Sequence, residues 1–246
     1  MKPNVVRAGM GRRAASLALA AALFASPALA GDRALIDYLG YSGDGRYFAF
    51  EEFGLQDGSG FPFADLYVVD LQTDSWVSGT PVRIRIEDEG ARVADARDQA
   101  HDEAEAVLDQ FGIAVAAHPL AVNGDGEVGV DWQALSFGRP GYGLGAALDP
   151  VTLTLDTFPA TSPQDCELYL GEPAVGFALR LDGAEIYSDA NTLPNSRGCP
   201  MDYRLFAVVA PVDWSGAGGG RVAIISSYPF GFEGPDRRFL AVPLPD

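Results

Sequence analysis

Beyond Lys2 the chain contains no lysine, and its 246 residues include only two histidines and two cysteines. The missing lysine excludes Schiff-base chemistry, a phosphate-loop lysine and a serine–lysine dyad from everything that follows residue 2. With His101 and His118 alone, any histidine-dependent triad has two candidate bases, and no Gly-x-Ser-x-Gly elbow supplies a nucleophile. Gly141 to Gly145 lacks the preceding strand, glycine spacing and following helix of a dinucleotide loop. Positive charge is scarce too: 17 basic residues stand against 34 acidic ones, a net charge of −17. Such a field repels nucleic acid and anionic lipid, and favours cations and basic partners.

Four of those basic residues, Lys2, Arg7, Arg12 and Arg13, lie in the first thirty residues, which contain no acid. They precede the apolar run Ala14 to Ala25 and the small-x-small site Ala28-Leu29-Ala30. This is the pattern of a cleaved export signal, and the run is shorter than the roughly 20 residues that span a bilayer as a helix. Residues 1–30 are therefore read as a signal peptide, with Arg12-Arg13 also compatible with twin-arginine export. Residues 31–246 are read as one β-dominated domain in the periplasm or outside the cell, with no integral membrane segment. Cleavage would leave a chain without lysine, at a net charge of about −21.

In an oxidising compartment the lone pair Cys166 and Cys199 is read as a disulfide. Closing a loop of this length is worth about 3–4 kcal/mol.

Short aromatic and β-branched runs punctuated by turn residues dominate the remainder. Tyr47 to Phe53, Asp65 to Leu71, Trp76-Val77 and Val82 to Ile86 read as strands. So do Ile113 to Ala117, Glu127 to Val130, Val151 to Phe158, Cys166 to Leu170, Val175 to Leu181 and Glu185 to Tyr187. Tyr203 to Ala210, Val222 to Tyr228 and Phe239 to Val242 complete the set. Phe137 to Gly145 reads as irregular, and Ser215 to Gly220 as a hairpin loop. Between Ala91 and Phe111 the period changes to that of an amphipathic helix, ended by Gly112. The expected fold is mainly β, with sandwich-like or partial-propeller sheets and one long amphipathic helix.

The turn and strands Tyr41-Ser42-Gly43-Asp44-Gly45-Arg46-Tyr47-Phe48-Ala49-Phe50 and Asp65-Leu66-Tyr67-Val68-Val69-Asp70-Leu71 resemble one blade of a periplasmic β-propeller. Together with Ser196-Arg197-Gly198-Cys199-Pro200 and the segment Phe230 to Phe239, they make the chain resemble a family of predicted secreted bacterial proteins of unknown function. That resemblance implies a location outside the cytoplasm and supplies no catalytic residue.

Three functional readings follow. The preferred one is a non-catalytic recognition or envelope-support module, with an envelope protein or small cation as partner and Phe232, Glu233, Asp236, Arg237 and Arg238 forming the recognition segment. The second is a divalent-metal protein using His101, Glu105 and His118, although no dedicated metal-ligand spacing is present and no cofactor is otherwise implied. The third is a carbohydrate-active hydrolase with a pair drawn from Glu51, Glu52, Asp65 and Asp70. Asn123-Gly124-Asp125-Gly126-Glu127 matches the middle of a calcium loop but lacks its opening and closing acids, and reads as a turn.

Overall fold

Strand periodicity along the chain sorts its side chains onto opposite faces, and the pairing of those faces sets the architecture. A computed structural model describes residues 31–190, 192–216 and 219–245; the expected signal peptide lies outside them. Three antiparallel sheets result. Sheet I contains β1 (Leu35–Ser42), β2 (Tyr47–Leu55), β3 (Pro62–Asp70), β4 (Ser75–Trp76), β5 (Val82–Arg85) and β6 (Ile113–Val115), in the order β4-β3-β2-β1-β6 with β5 also on β3. Helix α1 (Val93–Gln110) connects β5 to β6.

Sheet II has the order β11-β10-β9-β8, from β8 (Ala134–Pro140), β9 (Ala147–Ala160), β10 (Ala174–Leu181) and β11 (Ala184–Ser188), with the short helix α2 (Cys166–Leu170) after β9. Sheet III has the order β14-β13-β12-β7, from β7 (Ala117–Val122), β12 (Pro200–Pro211), β13 (Val222–Pro229) and β14 (Arg238–Pro243). A 3-10 turn, Asn195–Arg197, precedes β12.

Sheet III is covered on both faces. Ala207, Val209, Val222, Ile224 and Phe239 share a core with Tyr41, Phe48, Phe50, Tyr67 and Val69 of sheet I. Leu205, Val208, Ala223, Ile225 and Val242 share another with Leu135, Leu153, Leu155, Phe177 and Leu179 of sheet II. Burial on both sides accounts for the near-continuous apolar runs of β12 and β13, since neither parity faces water. Between Leu205 and Ala207 a bulge shifts the register and reassigns the faces of β12.

On its far side, sheet I presents Ala49, Leu66 and Val68 to α1. The helix answers with Ala96, Ala100 and Ala104, all fully buried, whose small side chains let the backbones approach closely. Asp95 starts the helix by accepting the Arg92 backbone N–H at 2.8 Å and its guanidinium at 2.6 Å. Gly112, with a φ of 61°, ends it.

Several local expectations are corrected. Cys166–Leu170 is a helical turn rather than a strand: its exposed Leu168 and Tyr169 lack a sheet to pair with, and Gly171 closes it in the left-handed conformation. Glu127 to Val130 is turn backbone, because Glu127 folds back to cap Gly124 N–H at 3.3 Å. Phe137–Pro140, expected irregular, belongs to β8, where Gly138 lets the Leu148 carbonyl approach closely. Strands β1 and β7 carry weak sequence signals, and both form against stronger neighbours. Pairing of β12 with β13 makes their connection a hairpin, as expected of Ser215 to Gly220, of which Ala217 and Gly218 lie outside the described residues.

The central sheet yields a stability test. Leu205→Ala, in the fully buried interior of sheet III, should lower the unfolding free energy by about 2–5 kcal/mol. Leu35→Ala, at a half-exposed position, should change it by about 0.5 kcal/mol or less. Urea titrations of the two variants would measure both, and equal losses would contradict the layer assignment.

Candidate recognition surface

Strand register places three charged residues in one row across sheet I. Glu52 on β2 lies opposite Asp65 on β3, and Asp65 lies opposite Arg83 on β5. Like charges directly opposed are unfavourable, so the row needs compensation. It comes from three directions. Tyr67 donates its hydroxyl to Glu52 Oε1 at 3.0 Å and reaches Asp65 Oδ2 at 3.5 Å. The Phe239 backbone N–H, from sheet III, donates to Glu52 Oε2 at 2.8 Å. Arg83 pairs with Asp65 at 3.5 Å, and Arg238 approaches Glu52 at 4.0 Å.

Burial nevertheless dominates at Glu52. Desolvation pushes its carboxyl up to about 7, against the opposing pull of Arg238 and the Phe239 N–H. Burial likewise raises Asp65, with Arg83 as the largest opposing influence. Tyr67 is held well above the ordinary phenol range by burial first and the Glu52 charge second.

These residues line a cleft of about 180 Å³ between sheets I and III, completed by Trp76, Ser196, Arg197 and Ser227. The 3-10 turn delivers Arg197, whose guanidinium binds Asp189 at 3.1 Å and the Tyr187 hydroxyl at 2.8 Å, over the ring of Phe177. All three cleft arginines thus have carboxylate partners. Glu52 and Asp65 share one hydroxyl, a closeness suited to paired-carboxylate chemistry. Yet Glu52 is 1 % exposed, with both oxygens engaged by protein donors, and it offers no open face to a sugar oxygen. The arrangement braces two sheets across a cleft. The other two carboxylates lie elsewhere: Glu51 under α1 with Arg97, and Asp70 beside Arg46.

At the neighbouring end, the β13–β14 loop carries the segment that the sequence reading assigns to recognition. The structure divides it into two kinds of residue. Arg237 is buried, donating twice to the Ala34 carbonyl and pairing with Asp125 at 2.6 Å, while Asp236 accepts the Asp32 backbone N–H at 2.8 Å. Arg238 binds Asp32 at 2.8 Å and lies over the Phe63 ring. These three tie the loop to the start of β1. Phe232, by contrast, is 98 % exposed, and Phe230 stacks on Tyr169 of α2 with ring centroids 6.0 Å apart.

Leu168 beside it is exposed as well. The Cys166–Cys199 disulfide holds α2 against the start of β12, and the Phe230 N–H donates to the Cys199 carbonyl at 2.9 Å. Sequence reasoning found Phe232 but missed Leu168 and Tyr169, since a strand assignment gave them a sheet to face.

The proposed metal residues are not assembled. His101 on α1 contacts Glu51 at 3.2 Å, beside the Arg97 guanidinium, whereas His118 sits on the edge strand β7 of sheet III. Glu105 is exposed on α1. Among the described residues no group of three or more histidine, cysteine, aspartate or glutamate side chains is placed to hold a metal ion. Asp125 of the calcium-like turn instead pairs with Arg33 and Arg237. No helix among the described residues is long and apolar enough to cross a membrane.

The raised Glu52 carboxyl predicts a pH-dependent stability. Between about 4.5 and about 7 the folded state keeps a proton that the unfolded chain has lost, so this contribution is complete below that window and disappears as pH rises through it. Glu52→Gln should remove a slope worth about 3 kcal/mol in total. Urea unfolding at about pH 5 and about pH 8 compares the two proteins, and parallel pH profiles would refute the assignment.

A family model described as "Predicted secreted protein (DUF2259)" matches residues 49–244. No curated protein and no solved structure matches the chain.

Proposed function

Because the chain belongs to this family of predicted secreted proteins, we propose that it is a non-catalytic recognition module acting outside the cytoplasm. Its binding surface is the aromatic end formed by the β13–β14 loop and α2, and its partner is a polypeptide of the envelope or exterior. The observation that carries this reading is the joint exposure of Phe230, Phe232, Leu168 and Tyr169 on two segments that meet at Cys199, to which the disulfide ties α2 and the Phe230 N–H ties the loop. Apolar side chains of this size, grouped on a surface and fixed in place, favour a partner's apolar groups over water. Glu233 beside them adds a charge that selects for basic partners.

The buried pairs beneath that surface support binding rather than turnover. Asp236, Arg237 and Arg238 hold the loop to the segment before β1, so little conformational freedom is lost on association.

A photo-crosslinking residue placed at position 232 and activated in the native compartment should give a discrete adduct. Tyr169→Ala should reduce that adduct about tenfold while leaving urea unfolding unchanged within about 0.5 kcal/mol. Adduct formation insensitive to Tyr169→Ala and Phe230→Ala would remove this surface from the proposal.

A further inference from the structure

The first described residues are built into the fold with unusual completeness. Asp32 accepts Asp57 N–H through Oδ1 at 2.6 Å and Arg238 through Oδ2 at 2.8 Å, while its own N–H goes to Asp236 and its carbonyl accepts Arg237 N–H at 2.7 Å. Arg33 then forms a parallel bridge with Arg237. One residue earlier, Gly31 lies so close to the Pro235 backbone that any β-carbon would overlap the Pro235 carbonyl oxygen. Only glycine fits there. Gly31 also lines a pocket of about 310 Å³ with Asp57, Glu233 and Asp236.

Asp236 is held above the usual carboxylate range, by burial first and also by the charges of Asp32 and Asp57. Arg238 is the only cation among the influences on it, and it is already committed to Asp32. The pocket therefore has an excess of negative charge at the position where the small-x-small site would be cut.

We propose that cleavage between Ala30 and Gly31 adds an ion pair to the fold: the new α-ammonium of Gly31 seats in this carboxylate pocket as one further lock on the β13–β14 loop. A signal-type endopeptidase adds water across the Ala30–Gly31 peptide bond, leaving a carboxylate on Ala30 and an amine on Gly31, which takes a proton at neutral pH. The inference rests on the export reading of residues 1–30, but not on the identity of the partner. It gives the pocket, the lone-glycine requirement and the leader a single purpose: the contacts that already hold the recognition loop gain one further ion pair only in the exported, processed chain. It also gives the protein one chemical handle, since with Lys2 removed the Gly31 amine is the only primary amine left.

The exported protein, purified from its native compartment, tests this. Mass spectrometry of the intact chain should show Gly31 as the first residue; another start overturns the proposal together with the cleavage-site reading. Acylation by an amine-reactive ester then reports on one site. In the native protein the amine should titrate above the ordinary α-amino value of about 7.7–8.0 and react about tenfold more slowly than in urea.

Such a raised amine stabilises the fold below its unfolded value and ceases to as pH rises through the folded one. Asp236→Asn retains an acceptor for Asp32 N–H while removing the charge, and should return the titration toward the ordinary value. A chain that begins at Gly31 yet reacts like its unfolded form overturns the lock alone. So does a raised amine unaffected by both Asp236→Asn and Glu233→Gln.

Discussion

A sheet buried on both faces imposes the constraint from which the other elements follow. Strands β12 and β13 cannot send either parity of side chain to water, so each face requires a cover. Sheet I covers one and sheet II the other. Only sheet I then needs a further layer, which α1 supplies with its alanine stripe. The chain is thus a sequence of layers in which apolar area is removed from water at three successive contacts, and the directional interactions decide how those layers meet.

Arginine performs most of that direction. Arg97 joins α1 to Glu51 and Asp37 of sheet I, Arg237 and Arg238 join β14 to the segment before β1, and Arg197 fastens the 3-10 turn onto sheet II. A planar group with five donors can serve two or three acceptors from different elements at once, which an ammonium cannot do with the same geometry. In a chain with so many carboxylates and no lysine after residue 2, the best buried arginines sit where elements join. Buried pairs of this kind cost desolvation, and their value is in specifying which surfaces meet.

Much of this was legible from spacing. The periods of β2, β3, β10 and β13 announce themselves because their two faces have different neighbours or are both apolar, and the helix between β5 and β6 shows its alanine stripe plainly. Strand β1 was hidden because Asp37 and Gly40 interrupt its pattern, and α2 because five residues carry too little periodicity to separate helix from strand. The acidic residues of the cleft were visible as residues but not as a pair. Glu52 meets Asp65 only through the register across a loop, and Phe239 reaches Glu52 across 187 positions of sequence. Conversely, Asp236 and Arg237 drew attention by their charge, and their work is internal bracing.

One continuous stretch, Ile113 to Val122, closes the edge of sheet I as β6 and the edge of sheet III as β7, with only Ala116 between them. Ala116 is itself held, accepting the Val212 N–H at 2.9 Å. A shared border of this kind leaves no slack for one sheet to swing against the other: opening a hinge would first unzip a ladder. A partner of the proposed kind would therefore meet a body in which sheets I and III are tied at a common border and by a shared core, and shape fitting would fall to the partner or to the short loops.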